Sequence, residues 1–357
     1  DGARRLLIGD DVVSPPGVQV RGIIEATEQR VIVTGNPLDD ASVQHVYRWT
    51  PASGFGALTD GPGVHNAIVG GDTIVLRTAT LEEPGARWRL PDGQQLESHA
   101  ERPLVRPEVR LTVHTPSTPT TAVLLPHDHD GSPLPVLLDP YGGPHAQRVV
   151  RSHLAFCASQ WFADQGFAVV VADGRGTPGR GTAYERAVLH DLAAGVLDDQ
   201  VTALHAAAER HAELDLDRVA IRGWSFGGYL AALAVMRRPD VFHAAVAGAP
   251  VTEWRLYDTC YTERYLGDPN ERPEVYDANS LLPLAPELTR PLLLIHGLAD
   301  DNVVAAHTLQ LSSALLAAGR PHEVLPLVGV THMTPQEVVA EHLLLHQLEF
   351  LRRSLAL

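Results

Sequence analysis

Ser225 stands at the centre of Gly223-Trp-Ser-Phe-Gly-Gly, directly after the apolar run Val219-Ala-Ile and before a helix-like stretch, Tyr229 to Met236. Strand, sharp turn and helix with a serine at the apex is the pattern of a nucleophile elbow. The flanking glycines permit strained backbone angles and close strand-helix contact, and the hydroxyl is held clear of the sheet. A serine hydroxyl is a poor nucleophile unless a base takes its proton, so the pattern calls for an acid and then a histidine further along the chain. Leu292-Leu-Leu-Ile-His-Gly-Leu-Ala-Asp-Asp-Asn-Val places Asp300 and Asp301 just after an apolar strand. A buried carboxylate that accepts the imidazole Nδ1-H fixes the tautomer and stabilises the imidazolium. Asp300 is expected in that role, with Asp301 as a structural neighbour. His332, in Gly329-Val-Thr-His-Met, falls between the last strand and the last helix, where the base belongs. His307, His342 and His346 lie on helical faces and His322 at the entry to a strand, which points to packed or solvated roles. Acyl transfer also needs donors for the developing oxyanion. The backbone N-H of Phe226 follows from the elbow itself, and Val136-Leu-Leu-Asp-Pro-Tyr-Gly-Gly-Pro-His offers Tyr141. Spacing alone leaves Tyr141 open between donor and packing residue.

These groups need a sheet to position them. After Thr112 strands alternate with long amphipathic helices. Val136 to Asp139, Ala168 to Asp173, Val219 to Arg222, Ala244 to Gly248, Leu292 to His296 and Glu323 to Leu327 read as strands. Most are apolar without alternation, as in a parallel sheet covered on both faces. Helices are expected over His153 to Gln165, Leu192 to Leu214, Tyr229 to Arg237, Val304 to Ala318 and Pro335 to Leu355. That is a doubly wound α/β domain, whose ligands lie at the carboxyl ends of the strands. From Arg4 to about Val113 the chain consists instead of short β-rich runs between turn clusters, as in a sandwich or propeller blades. At about 40 to 50 residues per blade there is room for two or slightly more. The expected division is a β-rich segment, residues 1–115, and a catalytic domain, residues 116–357. So short a β segment leaves strand edges to be covered, by residues upstream of Asp1 or by a partner chain, which includes a second copy of this chain.

The 357 residues carry a formal net charge of -15, with 45% hydrophobic and 20% charged residues, an ordinary globular composition that argues against nucleic acid as a partner. All 28 basic residues are arginine and they are scattered along the chain, which reads as biased coding rather than phosphate recognition. Cys157 and Cys260 have no metal-ligand spacing around them and build no disulfide framework. Neither a metal nor a cofactor is expected. No apolar run is long enough to span a bilayer and no leader pattern opens the chain, so the cytoplasm is the favoured compartment. A start at Asp1 without methionine also fits a piece of a longer product.

Asp139-Pro-Tyr-Gly-Gly-Pro, Asp173-Gly-Arg-Gly-Thr, Gly223-Trp-Ser-Phe-Gly-Gly-Tyr, Ala249-Pro-Val-Thr-Glu-Trp, Tyr257-Asp-Thr-Cys-Tyr-Thr-Glu-Arg-Tyr-Leu-Gly and His296-Gly-Leu-Ala-Asp-Asp-Asn-Val together resemble the prolyl oligopeptidase family of serine peptidases, in its dipeptidyl peptidase IV-like branch. The resemblance runs from about Leu134 to the C-terminus. It implies an α/β-hydrolase catalytic domain, preceded by a segment similar to the last blades of a β-propeller. It implies Ser225, Asp300 and His332 as the triad, and Tyr141 with Phe226 as the oxyanion hole. For the residue before the scissile bond it implies a pocket of Phe226, Val251, Trp254, Tyr257, Tyr261, Asn302 and Val303, whose aromatic walls suit a proline ring. Phe226 departs from a tyrosine common in that branch, and Thr-His-Met-Thr around His332 lacks the glycine that often follows the histidine. The glutamate pair that binds a substrate's ammonium in that branch has no counterpart here, since Glu82-Glu83 does not stand at the matching place and reads as a solvated loop. The expected activity is dipeptide release after proline or alanine. Its rivals are an acylaminoacyl-peptidase or oligopeptidase of the same family, an esterase on the same fold, and a catalytically silent scaffold.

Overall fold

The computed structural model describes residues 2–357. A short hairpin, β1 (Leu7–Ile8) and β2 (Asp11–Val12), leads into two four-stranded antiparallel meanders. The first is formed by β3 (Val18–Ala26), β4 (Val31–Pro37), β5 (His45–Thr50) and β6 (Gly54–Ala57), and the second by β7 (Val64–Gly70), β8 (Thr73–Ala79), β9 (Arg87–Arg89) and β10 (Gln95–Leu96). Each has the strand number and connectivity of one propeller blade. They pack face to face through Ile32 and Val46 of the first against Ala67, Ile74 and Leu76 of the second. The opposite face of the first meander, with Val20, Val31, Val33 and Tyr47, is covered in part by Leu6 and Ile8.

The remaining strands are β11 (Arg110–Thr112), β12 (Thr120–Leu124), β13 (Leu134–Leu138), β14 (Ala168–Asp173), β15 (Leu214–Trp224), β16 (Ala244–Gly248), β17 (Leu292–Gly297) and β18 (Glu323–Leu327). They form one sheet in the order β11-β12-β14-β13-β15-β16-β17-β18, antiparallel at β11 and β12 and parallel from β14 onward. This is the doubly wound, mostly parallel sheet expected from the apolar runs, and β14 and β16 are buried at every position. β11 joins this sheet a few residues ahead of the division expected at 115/116. The helices are α1 (Cys157–Asp164), α2 (Thr182–Arg186), α3 (Ala194–Ala208), α4 (Phe226–Arg237), α5 (Thr259–Leu266), α6 (Pro273–Asn279), α7 (Ala306–Ala317) and α8 (Glu337–Leu355). Two clusters of apolar side chains, one on each face of the sheet, form the core. One holds Val136, Ile221 and Leu294 with the buried α4, the other Leu137, Val169 and Ile295 with Phe162 of α1 and Leu351 of α8.

The helix expected to run to Leu214 stops at Ala208. Leu214 opens β15 and its N-H bonds the His211 carbonyl, so the long apolar run is shared between a helix and the strand it feeds. The first turn of the helix expected from His153 is a 3-10 turn, His153–Phe156, ahead of α1. Among the described residues no helix is long and apolar enough to cross a membrane.

Candidate active site

β15 ends at Trp224 and α4 begins at Phe226, so Ser225 alone makes the turn, with φ 59 and ψ -117. A non-glycine residue at such angles costs on the order of 1–3 kcal/mol and persists only where its surroundings over-determine it. Here they do. The Ser225 N-H donates to the Gly248 carbonyl at 2.8 Å and its carbonyl accepts from Tyr229 N-H at 3.0 Å. A Cβ on Gly223 would stand 2.2 Å from the Gly227 oxygen, and one on Gly228 would stand 2.2 Å from the Gly248 oxygen. The glycines thus permit the contact between α4 and the ends of β15 and β16 that holds the elbow shut.

Asp300 follows β17 and is buried, whereas Asp301 beside it is exposed. Asp300 Oδ2 lies 2.7 Å from His332 Nδ1, and Oδ1 accepts the N-H groups of Asn302 at 3.0 Å and Val303 at 2.8 Å. One carboxylate therefore orients the ring with one oxygen and fixes the following loop with the other. His332 follows β18, and its carbonyl accepts from Trp224 Nε1 at 2.8 Å. That bond ties the histidine loop to the residue next to Ser225. Among the described residues Ser225 Oγ makes no hydrogen bond to the ring, and contacts of this type commonly tighten only around a substrate. His296 packs behind the acid, with Nε2 at 3.6 Å from Asp300 Oδ2 and 2.7 Å from the Val303 carbonyl. Burial lowers the His296 pKa, which keeps it neutral beside Asp300. His307 is buried and accepts Thr252 N-H at 3.1 Å on Nδ1; its pKa is pushed down to about 4 by burial and by His296, so it is a packed residue.

Tyr141 faces the same rim from the loop after β13. Burial, then the neighbouring Tyr257 and Tyr265, push its pKa up to about 12, so at neutral pH the hydroxyl keeps the proton it would donate. The loop is anchored from below. Buried Asp139 accepts from Arg148 Nη2 at 2.8 Å, Ser159 Oγ at 2.7 Å and Arg222 Nη1 at 3.2 Å. Asp173, its pKa pushed up to about 6 by burial, accepts the N-H groups of Arg148 and Val149 at 3.0 and 2.8 Å. Phe226 N-H heads α4, where no intrahelical acceptor exists. Of the seven residues expected to form the pocket, Phe226, Trp254, Tyr257 and Tyr261 form one aromatic cluster, to which Asn302 is joined by a hydrogen bond. Tyr261 stacks on Trp254 at 6.0 Å between centroids, Tyr257 meets Tyr261 edge-on at 5.3 Å, and the Phe226 ring lies 6.0 Å from Trp254. Tyr257 Oη donates to Asn302 Oδ1 at 3.3 Å, and Val251 and Val303 are buried in the same core. Glu83, by contrast, pairs with Arg87 at the surface.

Sequence reasoning did not single out Trp224 and His296 in their supporting roles. Both stand inside the motifs that were read, and only the fold shows where their ring nitrogens point.

The profile of the prolyl oligopeptidase family matches residues 153–357, more than half of the chain. The chain belongs to the prolyl oligopeptidase family. Dipeptidyl peptidase 8 of Homo sapiens is 41% identical over 236 residues, which is 64% of this chain and 26% of that protein. Dipeptidyl peptidase 4 of Sus scrofa is 31% identical over 238 residues, 66% of this chain and 31% of that protein. The solved structure of Porphyromonas gingivalis dipeptidyl peptidase 4 matches with a TM-score of 0.85 and 24% identity, over 97% of this chain and 52% of that one. The shared fold is an α/β-hydrolase domain preceded by β-rich sheets. The chain spans about a quarter to a third of the length of the curated relatives and about half of the solved one.

Proposed function

We propose that this member of the prolyl oligopeptidase family is a serine peptidase in which Ser225, Asp300 and His332 form the triad, and that it releases dipeptides after proline or alanine. The observation that carries the reading is the 2.7 Å contact between His332 Nδ1 and buried Asp300, on a loop tied by Trp224 to the strained Ser225 turn. In this mechanism Ser225 Oγ attacks the carbonyl carbon of the scissile bond and its proton passes to His332 Nε2. Asp300 stabilises the imidazolium. The oxyanion receives hydrogen bonds from Tyr141 Oη and Phe226 N-H. The imidazolium then protonates the leaving amine, and water enters by the reverse of these steps to hydrolyse the acyl-enzyme.

Proline and alanine fit a pocket walled by Trp254, Tyr257, Tyr261 and Val303, because neither side chain brings a polar group that would be buried unpaired. Chromogenic substrates with proline, alanine or leucine before the scissile bond, each with a free and a blocked amino end, test this. Proline is expected to be cleaved fastest and leucine at least about tenfold more slowly, since a misfit of a few methylenes in an apolar pocket is worth on that order. Faster cleavage of free ends supports dipeptide release. Faster cleavage of blocked ends replaces it by the acylaminoacyl-peptidase reading, and hydrolysis of esters alone by the esterase reading.

Tyr141→Phe is expected to reduce turnover by about a hundredfold with KM little changed, because the hydroxyl acts on the transition state. An unchanged turnover would leave Tyr141 as packing for the Phe226 ring, 5.7 Å away.

A further inference from the structure

Four arginines from distant parts of the sequence converge on one cavity of about 760 Å3: Arg4 ahead of the first hairpin, Arg21 on β3, Arg186 at the end of α2 and Arg264 on α5. Its wall is shared with the candidate specificity pocket. His145 and Tyr265 line the cavity, and their rings lie 5.0 and 5.1 Å from that of Tyr261. His145 also continues the loop that begins at Tyr141, and Arg264, after burial, contributes to holding its pKa down.

Among the described residues the charges in this cavity do not cancel. One carboxylate among them lines it, Glu185, which is taken up by Arg4, by Gln19 Nε2 at 3.3 Å and by Gly179 N-H at 3.4 Å. The side-chain hydrogen bonds of half-buried Arg21 go to carboxamides, Nη1 donating to Asn36 Oδ1 at 3.2 Å and Gln147 Oε1 at 3.1 Å, and Glu185 and Asp173 act on its charge from beyond ion-pair distance. Among the described residues no carboxylate stands within ion-pair distance of Arg21, Arg186 or Arg264, in a chain whose net charge is -15. A concave site with one sign of charge and partly buried walls concentrates ligands of the opposite sign, and the guanidinium fork matches a carboxylate.

We propose that this cavity receives a carboxylate of the peptide substrate, from an acidic side chain or from the free C-terminus, on the segment beyond the scissile bond, which leaves as the amine. The sign of the charge selects that segment, because the ammonium of the dipeptide would be repelled by Arg186 and Arg264, which have no carboxylate partner among the described residues. The assignment rests on the peptidase reading, so its test separates the two. Binding is measured by calorimetry on Ser225→Ala, which requires no turnover, with three peptides of sequence Gly-Pro-Ala-X-Ala. In one X is Glu with an amidated C-terminus, in another Gln with an amidated C-terminus, and in the third Gln with a free C-terminus. One of the two carboxylate-bearing peptides is expected to bind about tenfold more tightly than the neutral one, as for a hydrogen bond to a charged group, and the one that gains names the source. The advantage should shrink between about 50 and 500 mM salt. It should shrink again in Arg264→Gln and Arg186→Gln, without loss of affinity for the neutral peptide. Equal affinities, absence of binding, or an advantage that survives both arginine substitutions overturns the cavity assignment. Fluorophosphonate labelling of the unaltered protein is read in parallel: failure to label overturns the peptidase reading instead.

Discussion

Replacing Ser225 with alanine is expected to lower turnover by about a millionfold and to abolish labelling by a fluorophosphonate, while leaving the fold intact. The first half follows from chemistry, since no other hydroxyl can take the place of Oγ at the turn between β15 and α4. The second follows from the contacts. The elbow is held by main-chain bonds, Ser225 N-H to Gly248 O and Tyr229 N-H to Ser225 O, and by glycine packing, none of which involves Oγ. Alanine inherits the same strain at φ 59 and no new strain. The measurement is turnover of a chromogenic peptide alongside a thermal melt. Substantial activity in a verified Ser225→Ala preparation with an unchanged melt would end the triad proposal.

Asp300→Asn is expected to cost about ten thousandfold in turnover, through the tautomer rather than through folding. The two N-H groups of Asn302 and Val303 decide which way the new amide points. Its oxygen must face those donors, which turns its NH2 toward His332 Nδ1. That nitrogen then has to accept, the ring proton moves to Nε2, and the base can no longer take the serine proton. KM should change little, because the loop that carries Asn302 and Val303 keeps its bonds. A variant with near-normal turnover would show that the short contact between Asp300 and His332 does not serve catalysis.

The parts of the site that were legible in the sequence are those fixed by local backbone requirements. Gly223, Gly227 and Gly228 are demanded by an elbow whatever else the fold contains, and the apolar runs before Ser225 and Asp300 mark strands buried on both faces. β12 was not legible. Its opening Thr120-Thr121 masks a strand that is buried throughout, paired between β11 and β14 and covered by α1 and α3. α5 and α6 were hidden by their brevity: Tyr261 and Tyr265 stand four residues apart on one face of α5, but helices of about two turns give too short a stretch for the periodicity to stand out. The arginines illustrate the limit most directly. Positions 4, 21, 186 and 264 look scattered in one dimension, and only the docking of the first meander beside the α2 and α5 segments gathers them at one cavity.

Most of the aromatic residues that would read the substrate belong to a different stretch of chain from the residues that would transform it. Trp254, Tyr257, Tyr261 and Tyr265 all lie in the excursion between β16 and β17, residues 249–291, while Ser225, Asp300 and His332 sit on turns that leave β15, β17 and β18 directly. The excursion rests on the sheet without supplying any of its strands. The aromatic part of selectivity is exchangeable in such a layout. Residues 249–291 can drift, or be redesigned for another side chain, while Phe226, Asn302 and Val303, bound to the reactive groups, hold the remaining wall where it is.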